Sequence, residues 1–400
     1  MATQAVAVAR ARLLRASVEA KPRARTRLAF IDNLRVLLVL LLVVHHAAVT
    51  YGPDFGWYYY EGPADIWTTT LLTLFVAVDQ AFIMALYFGI AAYFTAASVE
   101  RKGARRFVAD RLLRLGVPLA FQSLVIGPLL AYVLAATVWG YEGTLRDHVV
   151  HRLLQDRIIE VGPLWFVEAL LLFSLCYLLW WRWSGRSPDD VRGAGPVPSD
   201  RALALFAVGI GLVNFAVRLV YPVGRILWPF GFQLAHFPQY IAWFVVGLVA
   251  YRRGWLDGLA DARGRTWSRV AILLILFAPI LFAVGGALER GTGAFYGGLR
   301  WQALVYAVLE QLLCMGMIIA LLVAFRKRYT GQGGLAKEMS SSAYTVYIIH
   351  TPVLVLITLA MRDVTVLPAV KFALASLLTV TCCFLIAGGV RRLPGARRIL

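Results

Sequence analysis

The chain has 400 residues, 60% of them hydrophobic and only 16% charged, with a mean hydropathy of +0.70 and a formal net charge of +18. A soluble domain carries about a quarter charged residues, so this composition excludes a mainly soluble protein. The positive charge falls between long apolar runs, which reads as membrane topology and not as a nucleic-acid footprint.

A membrane-spanning helix needs about 20 mostly apolar residues. In chain order, ten segments qualify: Ile31–Tyr51, Ala77–Val99, Leu112–Trp139, Leu164–Trp183, Ala202–Tyr221, Gln233–Tyr251, Val270–Ala287, Gln302–Phe325, Ala343–Met361 and Pro368–Gly389. The apolar stretch Ile66–Val76 either extends the second span or lies at the interface. With the N-terminus in the cytoplasm, 30 of the 40 Lys and Arg fall on the cytoplasmic side and 7 outside. That bias is the positive-inside rule. The expected fold is therefore all-α, a polytopic membrane helix bundle of about ten transmembrane helices with both termini cytoplasmic. Residues 1–28 form a basic tail, 29–392 a single membrane domain and 393–400 a short tail. A polar Gly/Pro-rich loop, Ser184–Asp200, separates two halves.

The four cysteines, Cys176, Cys314, Cys382 and Cys383, sit in apolar runs without metal-ligand or disulfide spacing. His148 and His151 are spaced i, i+3, but no third ligand accompanies them, so they read as a solvated helix face. No metal is expected.

Ionisable groups within a span are costly and mark function. Arg35 and His46 share the first span, eleven residues apart. Eleven steps of about 100° are three turns plus about 20°, so the two share a face, about 16 Å apart along the axis. His45 points about 80° away from that face. Arg111 and Arg114 open the third span at i, i+3, a pair of guanidiniums suited to phosphate oxygens. Sorted by depth, His46, Asp79, Glu168, Arg218, His236 and Glu310 fall in the outer half, and Arg35 and His350 in the inner third. A carboxylate beside His46, Asp79 or Glu168, would fix its tautomer. The competing reading is a structural ion pair, such as Asp79 with Arg218.

Four motifs in order carry a family resemblance. IDNLRVLLVLLLVVHHA contains an Arg, ten residues, then His: Arg35 and His46. RLLRLGVP contains Arg111 and Arg114. GPLWFVEALL spans Gly162 to Leu171. SSSAYTVYIIHTPVL, Ser340 to Leu354, contains Tyr347 and His350. Together they resemble the acyltransferase 3 family of integral membrane acyltransferases, over about Arg27 to Arg392. HHAAVTYG and QLAHFPQYIAWF, Gln233 to Phe244, are most similar to its glucan biosynthesis protein C branch.

The resemblance implies O-acyl transfer from cytoplasmic acyl-CoA, acetyl-CoA or succinyl-CoA, to a carbohydrate or glycoside hydroxyl at or beyond the bacterial cytoplasmic membrane. His46 would be the base, held by Asp79 or Glu168. Arg35, Arg111, Arg114, Tyr347 and His350 would hold the coenzyme, and Trp165, His236, Gln239 and Glu310 the acceptor. The expected partners are the lipid bilayer and the glycan, with a homodimer left open and no nucleic acid. A proton-coupled transporter without thioester chemistry is the alternative, because intramembrane Arg, His and carboxylates mark those too.

Overall fold

The computed structural model describes residues 28–53, 56–62, 65–152, 161–185 and 195–400. The expected N-terminal tail up to residue 27, and most of the polar loop between the halves, lie outside these residues. Among the described residues the chain is helical, with one isolated bridge between Leu227 and Phe232 and no strand.

Among the described residues, nine helical runs are long and apolar enough to cross a membrane. We label them α1 (Ala29–Tyr51), α2 (Ile66–Val138), α3 (Gly162–Trp183), α4 (Asp200–Arg218), α5 (Leu234–Arg253), α6 (Asp261–Val284), α7 (Trp301–Arg328), α8 (Gly334–Ala360) and α9 (Pro368–Val390). They form an integral multi-pass membrane bundle.

The expectation of ten spans is met by nine runs because α2 is a hairpin. Gly103 takes φ 71° and ψ 167°, which interrupts the helix and is a backbone that a residue with a Cβ adopts only under strain. Arg111 Nη2 then donates to Thr95 Oγ1 at 2.8 Å, whereas in one straight helix those residues would lie about 24 Å apart. Both ends of α2 sit at the same end of the bundle. Thr137 accepts from Arg362 at 2.9 Å, the carbonyl of Arg362 accepts from Lys371, and Lys371 pairs with Glu61 just before α2 begins. The two arms correspond to the expected second and third spans.

Several helices run further than their apolar windows. The first arm of α2 begins at Ile66 and not at Ala77, so Ile66–Val76 extends it. There Asp65 caps the helix, its carboxylate accepting from the backbone N–H of Trp67 and Thr68. Likewise α8 begins at Gly334, nine residues before Ala343, and α6 at Asp261. Polar first turns are invisible to a hydropathy window but cost a helix nothing outside the hydrocarbon.

The central helix is α1, which packs against α2, α7, α8 and α9. Its most apolar window is 56% buried, against 17% for peripheral α6. At its start, Asn33 donates to the carbonyls of Tyr329 and Gly331, and Gln332 donates to Asn33. This fastens α1 to the α7–α8 connection and defines a basic end of the bundle. The opposite end carries the connection 56–62 between α1 and α2.

Candidate active site

The centre of the molecule holds two adjacent histidines on α1, aimed at different neighbours. His46 faces α8: its Nδ1 lies 3.1 Å from Nε2 of His350, which is fully buried. His350 Nδ1 in turn lies 2.6 Å from the carbonyl oxygen of Tyr347, one turn earlier in α8. A carbonyl can only accept, so His350 Nδ1 carries the proton. In a neutral imidazole the other nitrogen is then the acceptor, so Nδ1–H of His46 donates to it. The chain of bonds ends at His46 Nε2, left with its lone pair free. That is the arrangement of a base held by a partner behind it, the role a carboxylate plays in hydrolytic triads.

This geometry corrects two expectations. Among the described residues no carboxylate holds His46. Asp79 Oδ2 is 3.9 Å from Nδ1 of His45, and Glu168 Oε2 is buried without a hydrogen-bond partner. His350 is not in the inner third either. Because α8 starts at Gly334, His350 sits in mid-helix, level with His46.

Rings stack along the site. Trp57, from the connection 56–62, lies over His46 at 4.2 Å between centroids and 21°. His46 stacks on His350 at 5.0 Å, His350 on Tyr347 at 5.9 Å, and Tyr347 on Tyr344 at 6.5 Å. The last three are spaced i, i+3, i+6 on one side of α8. Tyr344 donates to the carbonyl of Arg114 at 2.6 Å, so the ladder of rings runs from the RxxR segment at the basic end to Trp57. Tyr347 donates to the carbonyl of Pro163, which spends its hydroxyl within the protein.

The arginines at the basic end have partners. Arg111 reaches into the hairpin to Thr95, while exposed Arg114 lies 3.3 Å from Asp110. Residues 112–116, which include Arg114, form a π-helical turn that begins directly after Arg111, so the regular helix expected to carry the i, i+3 fork is interrupted there. Arg35 keeps 38% of its side chain exposed beside Asp32 at 3.8 Å. Between Arg35 and His46 the stripe of α1 is filled by Leu38, Val39 and Leu42, at 0, 0 and 6% exposure. Arg35 and His46 therefore share a packed face and not an open passage, and the ring ladder runs beside it.

The outer-half residues His236, Gln239 and Glu310 come together in a separate cluster. Arg218, fully buried, donates to Glu310 Oε2 at 2.6 Å and lies 3.2 Å from His236 Nδ1. Arg218 thus pairs with Glu310 and not with Asp79. Gln239 donates to the carbonyl of Ala81 at 2.5 Å and accepts from Gln311 at 3.1 Å. Trp165 stacks on Tyr240 at 5.4 Å, and Tyr240 accepts from Gln80 at 3.2 Å, which links this cluster to the residue beside Asp79.

Sequence reasoning missed Trp57 and Gln122. Gln122 opens a second π turn, Gln122–Ile126, in the second arm of α2. It is 1% exposed, and neither its Nε2 nor its Oε1 has a hydrogen-bond partner among the described residues. A lone amide in an apolar span was the available signal. Close by, Gly162 takes φ 54°, and a Cβ there would stand 2.2 Å from the Tyr58 hydroxyl, so glycine is required twice over.

Among the described residues no three His, Cys, Asp or Glu side chains gather as a metal site. No solved structure matches the chain. The glucans biosynthesis proteins C of Salmonella schwarzengrund (strain CVM19633) and Salmonella agona (strain SL483) are each 23% identical to it over 333 residues, 81% of either partner's length. The acyltransferase domain model matches residues 28–388, which takes in the histidine pair, the RxxR segment and the ring ladder. The chain belongs to the acyltransferase 3 family and is a membrane acyltransferase.

Proposed function

We propose that the chain moves an acetyl- or succinyl-class acyl group from acyl-CoA, bound at the basic end, to a hydroxyl of a carbohydrate or glycoconjugate. His46 Nε2 takes the proton of that hydroxyl. The oxygen bonds to the thioester carbonyl carbon, the C–S bond breaks, and the proton passes from His46 to the leaving sulfur. The products are an ester and the free thiol of CoA. The observation that carries this reading is the His350–His46 hydrogen bond, which leaves one imidazole nitrogen free and aimed away from its holder. A sugar hydroxyl is a poor nucleophile at neutral pH and needs such a base.

Arg111, Arg114 and Arg35 would meet the coenzyme's phosphates. Arg114 is the most accessible of them and would exchange Asp110 for a phosphate. Tyr344, Tyr347 and His350 would line the path of the acyl-bearing arm. The distribution of Lys and Arg supports placing the basic end, and both termini, in the cytoplasm, with the acceptor approaching from the end that carries Trp57. Assembly as a homodimer belongs to the same proposal, and the names of the relatives favour a glucan as acceptor.

The test is thiol release by the purified chain in lipid nanodiscs, with acetyl-CoA and succinyl-CoA supplied separately. One of the two should be consumed, and His46→Ala should lower the rate about 10²- to 10⁴-fold, the usual worth of a general base. Turnover of neither thioester by the wild type, or full turnover by His46→Ala, would overturn the reading.

A further inference from the structure

The carboxamide of Gln122 is the most exposed clue to what the acceptor looks like, although it is itself buried. Both of its polar atoms lack hydrogen-bond partners among the described residues. Leaving such a group unpaired costs about 1–3 kcal/mol, so a position of this kind calls for a ligand. Its location ties it to the base. A Cβ built on Gly162 would lie 3.4 Å from Gln122 Nε2 and 2.2 Å from the Tyr58 hydroxyl, so both side chains crowd the same small turn. Tyr58 packs edge-on against Trp57 at 5.2 Å, and Trp57 covers His46. Trp57 Nε1 is also buried without a hydrogen-bond partner. The unpaired donor and acceptor of Gln122 and the unpaired donor of Trp57 therefore belong to one run of neighbours, Gln122, Gly162, Tyr58 and Trp57, that ends on the ring of His46.

The chemistry of these atoms discriminates between ligands. A thioester carbonyl, or the oxyanion it forms, would satisfy only the N–H side of Gln122 and leave Oε1 unpaired. A hydroxyl both donates and accepts, and so answers both atoms. We propose that Gln122 and Trp57 form the acceptor subsite, Gln122 binding a hydroxyl of a polyol next to the one that reacts, and Trp57 donating to a further oxygen. The acceptor is then a compound with vicinal hydroxyls, a sugar ring, and not a lone alcohol. The subsite takes its place in catalysis from the acyl-transfer reading, but its binding can be measured without turnover.

The probe is methyl β-D-glucopyranoside, and the readout is ligand-observed saturation-transfer NMR on the detergent-solubilised full chain, alongside steady-state kinetics. The wild type should bind the glycoside. Gln122→Met should weaken binding at least tenfold and raise the glycoside KM to match, with the acyl-CoA KM changed less than twofold. Gln122→Asn keeps the carboxamide on a shorter arm and should fall between them, and it decides the matter if Gln122→Met does not fold. Trp57→Phe should show a smaller loss. No binding by the wild type, wild-type affinity in the Gln122 variants, or donor and acceptor KM rising together would each overturn the proposal. Binding that depends on Gln122 in a chain that releases no thiol from either thioester would uphold the subsite and remove the acyl-transfer reading.

Discussion

Two buried polar clusters lie side by side in this bundle, and they are built on opposite rules. Around Arg218, a positive charge meets a negative one at 2.6 Å, with His236 against both. Around His46, the groups are imidazoles and amides, and the hydrogen-bond chain ends in a free lone pair beside unpaired atoms of Gln122 and Trp57. The first arrangement holds helices α4, α5 and α7 together. The second is built on neutral groups, and buried atoms without a hydrogen-bond partner among the described residues remain in both: Arg218 Nη1 and Glu310 Oε1 in the first, the Gln122 carboxamide and Trp57 Nε1 in the second.

Substitutions can separate the two roles. The largest contrast is between His46→Ala and Glu310→Ala. The histidine variant should lose about 10²- to 10⁴-fold in thiol release and melt within a few degrees of the wild type. The glutamate variant strands the Arg218 charge and should lose about 3–5 kcal/mol of stability, seen as a lower melting temperature in detergent. Restoring a neutral pair with Arg218→Met in the same chain should recover much of that loss. Equal melting of His46→Ala and Glu310→Ala would erase the distinction.

Next in size, His350→Ala removes the group that fixes the tautomer of His46 without touching the reacting atoms. Turnover should fall about 10- to 100-fold, as for partners that orient a reactive imidazole. Turnover should fall by more than the acyl-CoA KM rises, and a larger effect on KM than on kcat would make lining the acyl arm the main role of His350. Gly162→Ala should cost about 1–2 kcal/mol through its left-handed backbone and displace Tyr58, raising the acceptor KM. The smallest effect is expected outside both clusters. The Asp65 carboxyl is held below its ordinary 3.8 by the Thr68 hydroxyl and backbone bonds. Its support for α2 is therefore present above about pH 3.8 and fades as the pH falls below that value. Asp65→Asn should lower the melting temperature slightly at pH 7, and the difference should shrink on acidification.

Much of this was legible in the sequence, and what was not has physical reasons. Apolar runs and the spacing of arginines gave ten passes, because bilayer thickness and charge transfer act on local composition. The coaxial placement of Arg35 and His46 followed from helix geometry alone. The depth of His350 was missed because α8 carries a polar turn from Gly334 to Ser342 ahead of its apolar window. The partner of His46 was missed because the pairing spans 304 residues of chain, and a carboxylate was the natural guess. Gln122 was passed over inside an apolar run, although an amide in such a run is rare enough to notice. The pairing of Glu310 with Arg218 is set by how α4 and α7 pack, which no spacing rule encodes.

Proton transfer at His46 depends most on which of its two nitrogens is bare. Magic-angle-spinning NMR of the chain labelled with 15N-histidine in lipid can read this directly. Six histidines are present, and His46→Gln and His350→Gln assign the two resonance pairs. Protons on Nδ1 of both residues, with His46 Nε2 unprotonated, are the expected result. A His46 protonated on Nε2, with its lone pair on Nδ1 facing His350, would contradict the account, because the base would then point away from any substrate.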